Sequence, residues 1–195
     1  MDALGVDRAH ALVLGPGSLF GIACGLELLD RGYEVHLPQA LMPPPDLWPL
    51  HADRLHTMST DGGTAAGRRV VRAVLARIPM AVSVLTGDPV DADLADLTLA
   101  GMERRAGGRL LVRGDGTALC ASKSTVTVLS PSAGEQWLAG TGRRPALTRH
   151  PDDDLGDALA VARRAMTALA ARRAHVSPGL AARGRAGLGP SSRRR

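Results

Sequence analysis

A recurring order of apolar run, glycine-containing turn and amphipathic segment constrains the fold of this chain more than any other feature. It first occurs at residues 11–14, an apolar run that ends in Gly-Pro-Gly-Ser at 15–18. A helical pattern over 19–29 and a second apolar run over 33–37 follow. A strand, turn, helix and second strand in this order open a doubly wound sheet, because such crossovers are right-handed and pack the helix on the sheet.

The same order continues along the chain, with apolar periodicity that alternates between strand and helix. It predicts strands over 54–58, 80–85 and 125–129, helices over 65–78 and 91–105, and a closing helix over 153–173. Residues 107–124 contain Gly-Asp-Gly at 114–116, a hairpin signal that predicts a small flap. The sequence therefore predicts one α/β domain over residues 1–174, with an open, mostly parallel Rossmann-like or flavodoxin-like sheet and helices on both faces.

The net charge of +5 is concentrated at the end of the chain. Residues 172–195 hold seven arginines and no acid, so 17 basic and 19 acidic residues remain elsewhere, a net of −2. We expect residues 175–195 to be a disordered basic tail. Nucleic-acid binding by the domain is not expected, because aromatic residues make up 2% of the chain and no basic stripe is visible.

The sequence predicts a cytoplasmic protein that neither crosses nor binds a membrane. No run of 18 apolar residues exists, and the first residues lack the pattern of a secretion signal. Cys24 and Cys120 are too few for a disulfide framework. The histidines and cysteines show no metal-ligand spacing, so no metal is predicted.

Polar turns follow three of the predicted strands, and ligands of open α/β sheets gather beyond the carboxyl ends of strands. Glycine lets the backbone approach a ligand, and the next helix offers N–H groups to a phosphate. The alternative is that the hydroxyls of these turns merely cap the helices. The candidate cofactor-binding residues are Gly15, Gly17, Ser18, Phe20, Ser59, Thr60, Gly63, Thr64 and Thr86.

The first turn also allows a dinucleotide interpretation. Gly15, Gly17 and Gly21 form a Gly-x-Gly-x-x-x-Gly pattern. A dinucleotide fingerprint also contains an acid near the end of the second strand, which binds the ribose hydroxyls. Here that strand ends in Leu-Pro-Gln at 37–39, so the NAD interpretation is weakened.

The C-terminal part resembles the homo-oligomeric flavin-containing cysteine decarboxylases. Ser-Pro-Ser-Ala-Gly-Glu at 130–135, followed by Gly-Thr-Gly-Arg-Arg-Pro at 140–145, is similar to the segment that precedes the closing helix of those enzymes. Gly-Ser at 17–18 looks like their phosphate-binding turn. The order of these motifs extends over roughly residues 11–170.

Two central motifs match this family in their position along the chain more than in residue identity. Ala-Asp at 52–53, followed by Ser-Thr-Asp-Gly-Gly-Thr at 59–64, is similar to the family's Ala-Asp strand and Pro-Ala-Thr-Ala-Asn-Thr turn. Gly63 replaces the asparagine of that turn. Leu-Thr-Gly-Asp at 85–88 falls where the family has Pro-Ala-Met-Asn, with Asp88 nearest the asparagine.

The resemblance implies an FMN-dependent oxidative decarboxylase that acts on the C-terminal cysteine of a peptide and yields an enethiol, in the maturation of a peptide natural product. Gly17 and Ser18 would hold the FMN phosphate. A homo-oligomer, a trimer or a dodecamer, is also implied. His51 is the candidate base, since neutral imidazole suits proton abstraction near pH 7. His51 and Asp88 would be the catalytic residues that face the substrate, and Asp88, Cys120 and Glu135 would bind it.

Two other functions stay open. One is an NAD(P)-dependent Rossmann oxidoreductase, which the missing acid after the second strand disfavours. The other is a non-catalytic, flavoprotein-like partner subunit, which the altered motifs at positions 63 and 85–88 favour. A yellow purified protein would point to the flavin enzyme.

Overall fold

The structure is a computed structural model, in which a parallel sheet lies between two helical layers. It describes residues 8–43, 52–87, 91–105, 107–113, 125–129 and 154–170. The strands are β1 (His10–Leu14), β2 (Glu34–Pro38), β3 (Leu55–Met58), β4 (Met80–Leu85), β5 (Arg109–Arg113) and β6 (Thr125–Leu129). The α-helices are α1 (Leu19–Asp30), α2 (Ala65–Arg77), α3 (Ala92–Glu103) and α4 (Leu155–Ala170), and short 3-10 helices cover Gln39–Leu41 and Ala52–Arg54.

All six strands are parallel and lie in the order β3-β2-β1-β4-β5-β6. The predicted open α/β sheet is confirmed. This is the strand order of a doubly wound sheet, and it reverses direction between β1 and β4. A crevice therefore opens at the carboxyl ends of these two strands.

Each face of the sheet has its own apolar core, because successive strand residues point to opposite faces. Ala11 and Val13 of β1 face α1 and α4, whereas Leu12 and Leu14 face α2 and α3. Cys24 is fully buried on the α1 side. Helices on both faces explain why the central strands β1 and β4 are almost entirely apolar, with His10 and Ser83 as the exceptions.

Two sequence-based assignments differ from the structure. Arg109–Arg113, predicted to be half of a flap, pairs in parallel with both β4 and β6 inside the sheet. Its core, Leu110 to Val112, is apolar without alternation, which suits a strand covered on both faces. His56 lies inside the strand predicted over 54–58, a position typical of a core residue, but its side chain is 45% exposed because β3 is an edge strand.

Among the described residues, no helix has the length and apolar character that crossing a bilayer requires. The predicted tail over 175–195, the other half of the flap and the motifs over 130–145 lie outside the described residues. The expectation of a tail therefore stays a prediction.

Candidate functional site

A cleft lies beyond the carboxyl ends of β1 and β4, at the point where the strand order reverses. Its volume is about 80 Å³, enough for part of a ligand such as a phosphate group but far below the size of a typical cofactor pocket. A larger ligand would therefore extend out of it along the edge of the sheet. The cleft is lined by Gly15, Pro16, Asp61, Gly63, Leu85, Thr86, Gly87, Asp91 and Leu94.

Gly15 lets the first turn pass directly against the end of β4. Its φ of 127° lies in the region that favours glycine, and a Cβ there would collide with the carbonyl oxygen of Thr86. Thr86 fixes this junction from the other strand. Its N–H and its Oγ1 donate to the carbonyl oxygen of Leu14, at 2.9 and 3.2 Å. The floor of the cleft is thus held by hydrogen bonds between β1 and β4.

The turn then enters α1, whose N-terminus faces the same edge. Ser18 is the N-cap, and its Oγ accepts a hydrogen bond of 3.0 Å from the Gly21 N–H. The first turn of the helix carries no acid. A Cβ at Gly21 would lie 2.8 Å from Leu41 Cδ2, so this glycine lets α1 pack closely on the segment after β2. A helix N-terminus with no acid on it attracts anions.

The second turn, residues 59–64, uses its side-chain oxygens on its own backbone. Thr60 Oγ1 accepts from the Gly62 N–H at 3.1 Å, and Asp61 Oδ1 accepts from the Gly63 N–H at 2.9 Å. Thr64 caps α2 by accepting from Gly67 at 3.0 Å. These oxygens shape the turn, as the capping alternative in the sequence analysis held.

One wall of the cleft carries an ion-pair network between α2 and α3. Arg68 bonds Asp91 at 2.7 Å and Asp93 at 2.9 Å. Burial acts to raise the pKa of Asp91, but the hydrogen bonds from Arg68 and the Leu94 N–H outweigh it and lower that pKa. Asp91 is therefore an ionised helix cap at neutral pH.

The predicted cofactor-binding residues separate into three groups. Gly15, Gly63 and Thr86 line the cleft together. Phe20 does not, because its ring is fully buried with the Arg113 guanidinium 4.8 Å from its centroid. The remainder cap or flank the turns at the rim, namely Gly17, Ser18, Ser59, Thr60 and Thr64.

The predicted substrate-side residues His51, Asp88, Cys120 and Glu135 lie outside the described residues. The residues next to Asp88 and His51 in the sequence are described, and they lie at opposite edges of the sheet. Gly87, next to Asp88, lines the cleft. Ala52, next to His51, begins the 3-10 helix that leads into the amino end of β3, at the opposite edge of the sheet.

Sequence reasoning missed Asp61 and Asp91. Both line the cleft, and each follows a strand and accepts a backbone hydrogen bond two or three residues ahead. The signal was visible as aspartates at helix entries. Within the described residues no group of three His, Cys, Asp or Glu side chains could hold a metal ion.

No family model matches the sequence, and no curated protein matches it. Solved structures do resemble the fold. A mutant actinorhodin polyketide ketoreductase with NADPH superposes with a TM-score of 0.52 at 14% identity, over 84% of this chain and 90% of that one. A double mutant of a Serratia marcescens short-chain dehydrogenase/reductase gives 0.50 at 15% identity, over 83% and 88%. At such identity these matches show the fold.

The resemblance to the flavin-containing cysteine decarboxylases is wrong, and with it the assignment of FMN. The solved structures that the fold resembles are short-chain dehydrogenase/reductases and an NADPH-bound ketoreductase. The hydroxyl-rich turns that suggested a flavin site are accounted for as helix caps at Ser18 and Thr64. Glycine and a hydroxyl at a helix entry occur in doubly wound folds whatever they bind.

Proposed function

We propose that this protein is an oxidoreductase that binds a nicotinamide dinucleotide across the β1–β4 cleft. The observation that carries the proposal is the contact between Gly15 and Thr86 at the reversal of strand order. It opens the cleft where dinucleotides bind in sheets of this order. The NADPH-bound ketoreductase of the same fold supports this choice of cofactor.

The pyrophosphate would lie over residues 15–18. Gly15 and Gly17 remove side chains from the turn, and α1 directs its N-terminus at the same place. A Cβ at Gly17 would meet the carbonyl oxygen of Ala40 at 3.2 Å, so the turn also runs close to the segment after β2. The adenosine ribose of a dinucleotide is held at that segment in this class of fold.

Residues 39–43, directly after β2, carry neither of the charges that discriminate between the two dinucleotides. Gln39 is exposed where an acid would bind the 2′-hydroxyl of NAD, and no lysine or arginine occurs over residues 39–43 to bind a 2′-phosphate. We infer that NADH and NADPH bind with similar affinity.

The cofactor supplies hydride chemistry when bound, and the protein must position the substrate and handle a proton. A tyrosine hydroxyl is one group that can donate such a proton. The chain has one tyrosine, Tyr33, which precedes β2 at the amino edge, away from the cleft. Tyr33 is therefore excluded as the proton donor. Asp88, which follows the cleft residue Gly87, is the better candidate than His51.

The test is a titration of the protein with NADPH and with NADH, in which the fluorescence of the reduced nicotinamide reports binding. Ser18→Asp and Ser18→Asn form a matched pair, because both side chains cap helices well. The aspartate adds a charge beside the pyrophosphate, with a repulsion on the order of 3 kcal/mol at short range. We expect it to weaken binding about a hundredfold, and the asparagine to leave binding nearly unchanged.

Two results would contradict the proposal. One is wild-type protein that binds neither dinucleotide, and the other is Ser18→Asp protein that binds as tightly as Ser18→Asn. Turnover is tested separately, by oxidation of NADPH in the presence of a panel of ketones and aldehydes. Asp88→Asn should lower that rate without weakening NADPH binding.

A further inference from the structure

A second cavity lies at the opposite, amino edge of the sheet. Its volume is about 410 Å³. It opens where β1 begins and where the α1–β2 turn meets the 3-10 helix before β3. The cavity is lined by Arg8, Asp30, Arg31, Gly32, Asp53 and Arg54.

Arg54 differs from the other cations of this cavity. Arg8 pairs with Glu34 at 3.4 Å, and Arg31 pairs with Glu27 at 2.8 Å. Arg54 is 6% exposed, and its side chain makes no hydrogen bond or ion pair with any other residue in the described part of the chain. It is thus a largely buried guanidinium that borders a cavity and forms no ion pair with Asp30 or Asp53, the two carboxylates that line the same cavity.

The Arg54 side chain packs against the backbone at Gly32. Gly32 has a φ of 90°, and a Cβ added to it would lie 3.7 Å from Arg54 Nη1. The guanidinium therefore lies against the α1–β2 turn and faces the cavity. A largely buried cation without an ion pair loses part of the solvation that it has in water, and a ligand carrying the opposite charge would offset that loss.

We propose that this cavity binds a small oxyanion, a phosphate or carboxylate group, on the guanidinium of Arg54. Arginine suits this ligand because its planar fork donates two parallel hydrogen bonds to such a group. Asp30 and Asp53 are exposed at the rim, where solvent screens their charge. They weaken the attraction for a bare anion and favour one that carries a positive group on its outer side.

The site is independent of the proposed dinucleotide cleft. The cleft lies at the carboxyl ends of β1 and β4, whereas Arg54 precedes the amino end of β3. Phosphate could also bind weakly at the helix N-terminus behind Ser18. Experiments with inorganic phosphate therefore use the Ser18→Asp variant as the background, which suppresses the cleft.

The experiment titrates Ser18→Asp protein with inorganic phosphate and, separately, with acetate, and follows the Arg54 Nε–H resonance by NMR and the melting temperature. Sodium chloride at matched ionic strength is the reference. We expect both anions to shift the resonance and raise the melting temperature, phosphate more than acetate. Arg54→Gln should weaken phosphate binding at least tenfold. Arg72→Gln, at an exposed position of α2, should leave it unchanged.

Asp53→Asn provides a second variant that does not depend on removing Arg54. Loss of a rim carboxylate should tighten phosphate binding a few-fold, because it removes a repulsion. The proposal is overturned if phosphate leaves the Arg54 resonance where chloride leaves it, or if Arg54→Gln binds phosphate as well as its parent does. Dinucleotide binding by wild-type protein has no bearing on either outcome.

Discussion

His10 Nδ1 lies 3.2 Å from His36 Nε2, and the ring of His36 stacks on that of His56 with centroids 4.7 Å apart. The three rings form a row across β1, β2 and β3. His56 Nε2 in turn contacts Glu34 Oε2 at 2.6 Å. One of the two nitrogens between His10 and His36 must donate and the other accept, so this contact cannot survive protonation of both rings.

This row predicts a protein that loses stability in mildly acidic solution. His36 is 7% exposed, and its pKa is lowered to about 4, first by burial and then by His56 and His10, with Glu34 opposing. The unfolded chain, with an ordinary value near 6.5, binds the proton more readily. Stability is therefore complete above about pH 6.5 and falls as the pH drops toward 4.

The expected loss from His36 between pH 7 and pH 5 is about 2 kcal/mol in the free energy of unfolding. Urea denaturation at the two pH values measures it. His36→Leu should remove most of this pH dependence. Burial acts to raise the pKa of Glu34, but His56 and Arg8 outweigh it and lower that pKa, so the contribution of Glu34 is lost at lower pH than that of His36. An unchanged slope in the variant would assign the acid sensitivity to other groups.

The junction of Gly15 and Thr86 predicts a sharp difference between two glycines of one turn. Gly15→Ala forces a side chain into a positive φ and onto the Thr86 carbonyl, so we expect a loss of at least ~2 kcal/mol. Gly17→Ala meets only an Ala40 oxygen at 3.2 Å, and should cost under ~1 kcal/mol. Thermal or urea unfolding compares them. Equal losses would mean that the first turn does not touch β4 as described.

The fold followed from the sequence to a large extent, because its apolar runs and helical periodicity are local signals. β4 over 80–85 has the predicted bounds, and α1 differs by one residue from its predicted end. Strand order is not local, so nothing placed β5 inside the sheet. The row of histidines was equally invisible, because positions 10, 36 and 56 meet only through the register of three strands.

The location of the candidate site could be predicted from the sequence, but the ligand that it binds could not. Gly15 and Thr86 were assigned to a ligand edge because they follow apolar strands. The hydroxyls of Ser18 and Thr64 were wrongly assigned to a flavin site, because a helix cap and a phosphate ligand have the same sequence signal. Arg54 could not be recognised at all, because whether an arginine is paired depends on what the fold brings near it.

A buried hydroxyl in β4 gives a prediction for stability alone. Ser83 is fully buried, and its Oγ has no hydrogen-bond partner in the described part of the chain. Ser83→Ala should therefore be neutral or stabilising by up to ~1 kcal/mol, since it removes a desolvated polar group. Thr86→Val is the matched control, because it removes a hydroxyl that donates to Leu14, and should cost about 1 kcal/mol. If Ser83→Ala cost more than Thr86→Val, a partner for Ser83 would have to exist.

Gln39 lies where the choice between the two dinucleotides would be made. This residue is exposed on the 3-10 helix after β2, close to the Gly17 turn through Ala40. Gln39→Asp would place a carboxylate that accepts from the ribose hydroxyl of NADH and repels the 2′-phosphate of NADPH. Gln39→Arg would do the reverse. At an exposed position the effect is screened, so we expect the NADH-to-NADPH affinity ratio to shift on the order of tenfold in opposite directions.

Paired titrations of both variants with both cofactors measure that ratio directly, and each variant is the control for the other. A general loss of binding or of folding would move both affinities together and leave the ratio unchanged. Opposite shifts require a ribose within reach of position 39, which only a dinucleotide lying from the β1–β4 cleft toward β2 would provide. If the ratio stays the same in both variants while binding persists, the cofactor lies in another direction across the sheet, and the proposed orientation is wrong.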